Sequence, residues 1–275
     1  MTPLIHNAVL QTEIDQTGFI KGPSLSAPLI EALLQAYLKL KTSNGRGSFF
    51  TTTMSNDMAY RRAANQAIVN ILQPVLDETF QNFRVVYGNF MVKPPGADTE
   101  CNLHQDWTYV DEEKYCTLNI WIPLVDTTSE NGSIHLAPGS HQFDKRIRGR
   151  NIWWPYYDAR DAIIKTLMKP VPLNAGESVI FNSKTFHYSP TNCSGQECVA
   201  VSVVVAPIEA KLLHYYAKAG NIYKAPITDT SYYVDYGVYA EDFAANLEPE
   251  LFSSESEYRK VLNPDILNLQ TAKNY

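Results

Sequence analysis

At 275 residues, with 45 % apolar and 19 % charged side chains, the chain can bury a substantial core and falls outside the composition of disordered proteins. A formal charge of −6 gives no electrostatic reason to expect nucleic acid as a partner. No apolar run approaches the length of a membrane span, so no membrane partner is expected either.

In chain order, the opening MTPLIHNAVLQTEIDQ carries two acids and no basic n-region, and does not read as a signal peptide. Apolar residues at Leu29, Ile30, Leu33, Leu34, Tyr37 and Leu38 have helical spacing and predict a helix over 26–41, with Ser24 or Ser26 as its cap. Turn-formers over 42–57 predict a loop. A second helix is predicted over 58–80, capped by Asn56 or Asp57, with Pro74 kinking it or opening a new turn.

The period then falls to two. Strands are predicted over 84–93, in NLHQDW, over 115–126 and 133–140, near 171–173, and over 176–182 and 197–207. Asn131-Gly132 signals a hairpin between the strands on either side of it. Many short strands with tight turns predict a mainly β fold with flanking helices, a sandwich or jelly-roll barrel. The segment 143–169 reads as an insertion. After Pro207 a short helix is expected over 208–220, then a tyrosine-rich stretch and an irregular tail. With no repeat or linker, the expectation is one domain, 1–275: a helical support (1–82), a β core (83–207) with its insertion, and a C-terminal extension (208–275). The four cysteines, Cys101, Cys116, Cys193 and Cys198, are too few for a disulfide scaffold; the expectation is reduced thiols in a cytoplasmic protein.

The chemistry centres on His104-Gln105-Asp106. On an extended strand, side chains at i and i+2 share a face, so His104 and Asp106 can reach one metal ion together. An imidazole and a carboxylate are two of the three ligands of the 2-His-1-carboxylate facial triad, which leaves open positions on a non-haem Fe(II) for a cosubstrate and O2. The third ligand has to be a histidine from a later strand, and His187 in VIFNSKTFHYSP is the candidate.

At HQDW, NGSIHLAPGSHQF and HYSPTNCS, from about Val85 to Pro207, the sequence resembles the phytanoyl-CoA dioxygenase family of Fe(II)- and 2-oxoglutarate-dependent oxygenases. The resemblance implies a double-stranded β-helix with iron on His104, Asp106 and His187. It also implies 2-oxoglutarate chelating that iron, O2 as the oxidant, and hydroxylation of a small-molecule substrate with release of succinate and CO2. Because Asp106 supplies a carboxylate where related halogenases have a small residue, hydroxylation is expected over halogenation. Trp121, Ser189 and Asn89 match positions that line the cosubstrate pocket, and Asn119 shares a strand face with Trp121.

One position departs from the pattern. Eleven residues after the distal histidine the family usually has an arginine that pairs with the 5-carboxylate of 2-oxoglutarate; here it is Cys198, preceded by Glu197. The cation could instead come from Lys93, or from Arg146, Arg148 or Arg150. Otherwise the pocket takes a different oxoacid, the substrate binds the iron directly, or activity has been lost. This leaves two alternatives beside the main reading: a non-haem iron enzyme of the same fold that does not use 2-oxoglutarate, and a non-catalytic metal-binding cupin-like protein. Arg146, Arg148 and Trp107 are the candidate substrate contacts, the arginines for an anionic group if they are not simply solvated. Trp153, Trp154, Tyr156, Tyr157, Tyr232, Tyr233 and Tyr236 either wall a planar substrate or pack the insertion. His6, His135, His141 and His214 are not needed as ligands.

Overall fold

A computed structural model describes residues 2–41, 47–96, 98–236 and 247–260. In chain order its elements are α1 (Ala8–Thr17), β1 (Phe19–Lys21), α2 (Ala27–Leu40), β2 (Phe50–Thr51), α3 (Met58–Thr79), β3 (Phe83–Lys93), β4 (Cys101–His104), β5 (Leu118–Pro123) and β6 (Ile134–Leu136). There follow α4 (Arg160–Thr166), β7 (Lys169–Val171), β8 (Val179–Asn182), β9 (His187–Ser189), β10 (Cys198–Pro207), β11 (Leu212–Lys218), β12 (Asn221–Ile227), α5 (Tyr232–Asp235), β13 (Glu250–Ser254) and α6 (Glu255–Lys260).

Two antiparallel sheets form the jelly roll. The larger runs β1-β8-β5-β10-β3-β2 and the smaller β4-β9-β6-β7. A two-residue alternation in the central strands of the larger sheet decides what each face does. Phe90 and Val92 of β3, Leu118, Ile120 and Ile122 of β5, and Val199, Val201, Val203 and Val205 of β10 pack against Leu33, Tyr37, Ile68, Leu72 and Leu76 of α2 and α3. Each of those valines contributes about 1.5–3 kcal/mol by leaving water. The intervening residues (Asn89, Met91 and Lys93; Asn119 and Trp121; Cys198, Ala200 and Ser202) line a cavity on the opposite face of that sheet. Polar side chains therefore sit at alternate positions of strands whose other face is wholly apolar.

The helices follow their sequence signals. Asp57 Oδ1 accepts from the backbone N–H groups of Ala59 and Tyr60 at the start of α3. Ser26 is the N-cap of α2 but makes no side-chain capping bond, and α3 runs on through Pro74 to Thr79. The N-terminal stretch, which its periodicity leaves unassigned, folds as α1 and β1: Asn7 caps α1, and β1 pairs with β8 at the edge of the larger sheet.

Two expectations need correction. Asn131-Gly132 does not close a hairpin, because β5 lies in the larger sheet and β6 in the smaller, and the chain crosses between them. A two-residue type I′ turn needs positive φ at both central residues, and here only Gly132 has it, at +87°. Asn131 instead ties the loop, its side chain accepting from Thr128 N and donating to Asp126 O.

The segment 208–220 is not a helix. Its Leu212–Lys218 stretch is β11, paired with β12 across a tight turn in which Ala219 (φ +52°) and Gly220 (φ +76°) are both left-handed. Consecutive apolar and aromatic residues buried on both faces satisfy a strand as readily as a helix, and pairing with β12 and β13 in a third sheet decides it.

Part of the loop expected over 42–57 (residues 42–46), part of the tyrosine-rich stretch (237–246) and the tail beyond 260 lie outside the described residues. Among the described residues no helix is long and apolar enough to cross a membrane, and all four cysteines are free.

Candidate metal centre

His104 ends β4 and His187 begins β9. These strands pair antiparallel with the two histidines as Cα partners, which brings residues 83 positions apart side by side, their rings tilted at 52° with centroids 4.1 Å apart. Asp106 follows just beyond β4, where its backbone N–H donates to Ser183 O. One ligand atom from each of His104, Asp106 and His187 lies within 4.8 Å of the others, and His187 Nε2 is 3.6 Å from Asp106 Oδ1.

Each imidazole is oriented by its own backbone. His104 Nδ1 bonds Asn102 O at 2.7 Å and His187 Nδ1 bonds Thr185 O at 2.9 Å. A carbonyl can only accept, so both Nδ1 atoms carry hydrogen and both Nε2 atoms keep a lone pair for a metal. Burial, then the neighbouring His187, pushes His104 down to about 4, so its imidazole stays neutral near pH 7. Asn119 supports the carboxylate: its Nδ2 donates to Asp106 Oδ2 at 3.2 Å, while its Oδ1 accepts from Ser202 Oγ at 2.8 Å. Two imidazoles and one carboxylate, each held by a further hydrogen bond, form a donor set suited to a divalent iron ion.

The centre opens into a cavity of about 460 Å³ lined by Asn89, Lys93, Trp107, Asn119, Trp121, Arg146, Arg148 and Ser189, as well as the three candidate ligands. At one end Lys93 is 6 % exposed. Its ammonium donates to Ser189 O at 2.9 Å and to Pro190 O, and among the described residues no carboxylate pairs with it. Burial lowers Lys93 to about 8. Gly132 makes room for this side chain: a Cβ there would lie 2.7 Å from Pro190 O and 3.0 Å from Lys93 Nζ. Cys198 is the Cα partner of Lys93 across β3 and β10, and burial pushes its thiol up to about 11. Glu197, one residue earlier, turns the other way, onto Tyr37 and Lys41 of the helical layer. Four residues before Lys93 on β3, Asn89 Oδ1 is buried with no hydrogen-bond partner, an orphan acceptor on the cavity wall. Ser189 donates its hydroxyl proton to Gly132 O.

The arginines differ in what they have left to offer. Every nitrogen of the Arg148 guanidinium is engaged: Nη1 and Nη2 grip Glu112 Oε2 and Oε1 at 2.9 and 2.5 Å, Nη1 also donates to Arg146 O, and Nε donates to Asp106 O. Arg146 binds Asp144 through Nε at 2.6 Å. Arg150 joins the neighbouring sheet through its backbone, donating to Tyr215 O and accepting from Ala217 N. Trp107, Trp153 and Trp154 line the cavity, as does Tyr233; Tyr232 and Tyr236 pack beside Tyr233. Tyr156 packs on Phe186 in a separate cluster, and Tyr157 is exposed. His135, His141 and His214 are not part of the His104–Asp106–His187 group. Sequence reasoning did not single out Tyr87 and Tyr109, whose hydroxyls bond each other at 2.8 Å on the cavity wall, or Tyr258, which enters the wall from the C-terminal α6. None of the three lies in a motif, and only the tertiary packing brings them here.

The chain resembles known proteins in sequence and in fold. A curated phytanoyl-CoA dioxygenase of Arabidopsis thaliana is 29 % identical over 129 residues, covering 44 % of each chain. A phytanoyl-CoA dioxygenase domain-containing protein 1 of Mus musculus is 29 % identical over 126 residues, covering 43 % of each. These matches span less than half the length of the curated relatives. Among solved structures, the non-heme alpha ketoglutarate dependent carbocyclase SnoK from nogalamycin biosynthesis superposes with a TM-score of 0.55 at 20 % identity, covering 75 % of this chain and 86 % of that one. EctD from S. alaskensis, solved with 2-oxoglutarate and 5-hydroxyectoine, gives 0.51 at 16 % identity over 75 % and 78 %. At such identities the likeness establishes the shared fold. The sequence model described as Phytanoyl-CoA dioxygenase (PhyH) matches residues 16–198, well over half of the sequence, and the chain belongs to that family.

Proposed function

We propose that the protein is an Fe(II)- and 2-oxoglutarate-dependent oxygenase that hydroxylates a small molecule, with release of succinate and CO2. The observation that carries this reading is the convergence of two Nδ1-anchored imidazoles and one carboxylate within 4.8 Å at the edge of a cavity. In this reading His104 Nε2, Asp106 and His187 Nε2 hold the iron, which supplies the site where 2-oxoglutarate and O2 react. Asn119 keeps Asp106 turned toward the metal. Lys93 receives the 5-carboxylate in place of the family's arginine, through the ammonium donor its two carbonyl partners leave over. Asn89, Trp121 and Ser189 line the path between metal and ammonium. The whole of 1–275 acts as one oxygenase domain, the C-terminal extension completing the cavity wall.

The test is an anaerobic titration of apoprotein with Fe(II) and then 2-oxoglutarate, followed by visible absorbance. A 2-oxo acid chelating Fe(II) produces a weak charge-transfer band, expected here to grow and saturate. Iron binding without any band would defeat the 2-oxoglutarate reading. His104→Ala and Asp106→Ala are expected to lose iron uptake with an unchanged circular dichroism spectrum; undiminished uptake would count against the assigned ligands.

A further inference from the structure

The cavity is larger than a metal and a five-carbon diacid require, and its remaining wall carries one guanidinium whose bonding is incomplete. Arg146 is 9 % exposed at its side chain, lines the cavity, and leaves Nη1 buried without a hydrogen-bond partner among the described residues. A buried donor without an acceptor is costly, and more so on a charged group. Such a group is expected where a guest supplies the acceptor.

The fork is held ready. Asp144 takes Arg146 Nε, and is itself fixed by Arg146 N at 2.8 Å and Tyr156 OH at 3.0 Å. The backbone on either side is pinned too: Arg146 O accepts from Arg148, Ile147 O accepts from Tyr258 OH, and Arg150 is bonded to β11 through both its N–H and its carbonyl. With Nε taken by Asp144, the Nη1–Nη2 end of the guanidinium is the part with a donor still unpaired among the described residues. That end matches the two oxygens of a carboxylate. The adjacent Asp144 charge already offsets part of Arg146, which favours a monoanion over a phosphate dianion. Trp107, Trp153, Trp154 and Ile152 line the same cavity and add apolar surface to it.

We propose that Arg146 anchors a carboxylate on the substrate, whose apolar or planar body lies against Trp107, Trp153 and Trp154. The substrate class is thus a compact aryl or alicyclic monocarboxylate. Arg148 plays a different part, since its nitrogens are spent on Glu112 and two backbone carbonyls: it holds the loop that presents Arg146. The proposal rests on the oxygenase reading for the meaning of "substrate", but not for the binding itself.

The experiment compares 2-naphthoate with 2-naphthamide, two probes of one shape that differ in charge, by quenching of tryptophan fluorescence under anaerobic conditions. Fe(II) and saturating 2-oxoglutarate are present so that Lys93 is occupied. Wild type is expected to prefer the carboxylate by about tenfold or more, the worth of a charge-assisted hydrogen bond. Arg146→Gln is expected to bring the ratio near one, and Arg146→Lys, which keeps the charge without the fork, to retain part of it. Equal binding of the two probes in wild type, or no binding of either, overturns the proposal. So does a preference that survives in Arg146→Gln, or one abolished by Lys93→Met instead. If the charge-transfer band never forms, the oxygenase reading fails while this comparison, repeated on the metal-free protein, still stands or falls by itself.

Discussion

Lys93 and Cys198 are Cα partners on adjacent strands, so a buried ammonium stands directly across from the position where an arginine is missing. Both side chains line the cavity, so on the proposed reading a cation from β3 serves where the family's arginine would stand on β10. The consequence can be measured. Lys93→Met should weaken 2-oxoglutarate by about ten- to a hundredfold, the range for losing a desolvated charge-assisted bond. Iron affinity should hold. Adding Cys198→Arg to that variant should recover part of the loss. Cys198→Arg alone, with Lys93 still opposite, should lower Tm through burial of two like charges. The charge-transfer titration reads the first three and a thermal melt the last; unaltered cosubstrate affinity in Lys93→Met would remove Lys93 from the site.

Lys93 also predicts a pH dependence. Burial lowers it to about 8 from an ordinary 10.5, so between those values the unfolded chain holds a proton that the folded chain lacks. Apoprotein stability therefore rises with pH across that window, and the full penalty applies below pH 8. Lys93→Met should remove the slope and stabilise the apoprotein at pH 7 by up to about 3 kcal/mol. Binding has the opposite sign, because an anion needs the ammonium. 2-Oxoglutarate affinity should be level below pH 8 and fall by about tenfold per unit above it. Denaturant melts and band titrations over the same pH series check both slopes.

Asn119 offers a test of how the carboxylate is held. It accepts from Ser202 on β10 and donates to Asp106, so it transmits the rigidity of the larger sheet to a ligand lying just beyond a strand end. Asn119→Ala should cost about ten- to a hundredfold in Fe(II) affinity, as loss of such supporting bonds does at other metal sites, with little change in Tm. Ser202→Ala should produce a smaller loss in the same direction. A metal-competition titration separates the two.

The triad could be read from the chain because its information is local: a two-residue period, residue types suited to one metal chemistry, and a distal histidine in a strand-like context. The alternation of Asn119 and Trp121 against Leu118, Ile120 and Ile122 was legible for the same reason. Lys93 could be named from its place at the end of a strand, but its position opposite Cys198 could not, because that depends on the register of β3 against β10, which joins residues 105 positions apart. The crossing from β5 to β6 was hidden similarly: an Asn-Gly pair marks a turn, but not which sheet each flanking strand joins. In Leu212–Lys218 the apolar run fits either period, and only its partner strand decides. Arg146 and Arg148, two residues apart in one basic loop, are indistinguishable until Glu112 is seen to claim one of them.

That claim leads to a contrast between the two arginines. The Arg148–Glu112 pair is 7 % and 10 % exposed at its side chains, with both guanidinium ends on both carboxylate oxygens. Removing one partner of such a pair strands the other charge without water, at a cost of about 3–5 kcal/mol. Arg148→Met should therefore lower stability by that amount, as should Glu112→Gln in lesser degree, since an amide still accepts one bond. Arg146→Gln also takes a buried carboxylate's cation away, but leaves Asp144 with Tyr156 OH and a backbone N–H, and should cost less, about 1–3 kcal/mol. Because Arg148 also donates to Asp106 O, its loss loosens the segment that carries the metal carboxylate, and iron affinity should fall with stability. Denaturant melts of the three variants beside Fe(II) titrations test the division of labour: comparable destabilisation by Arg146→Gln and Arg148→Met would make both arginines structural and leave the cavity without a dedicated anion anchor.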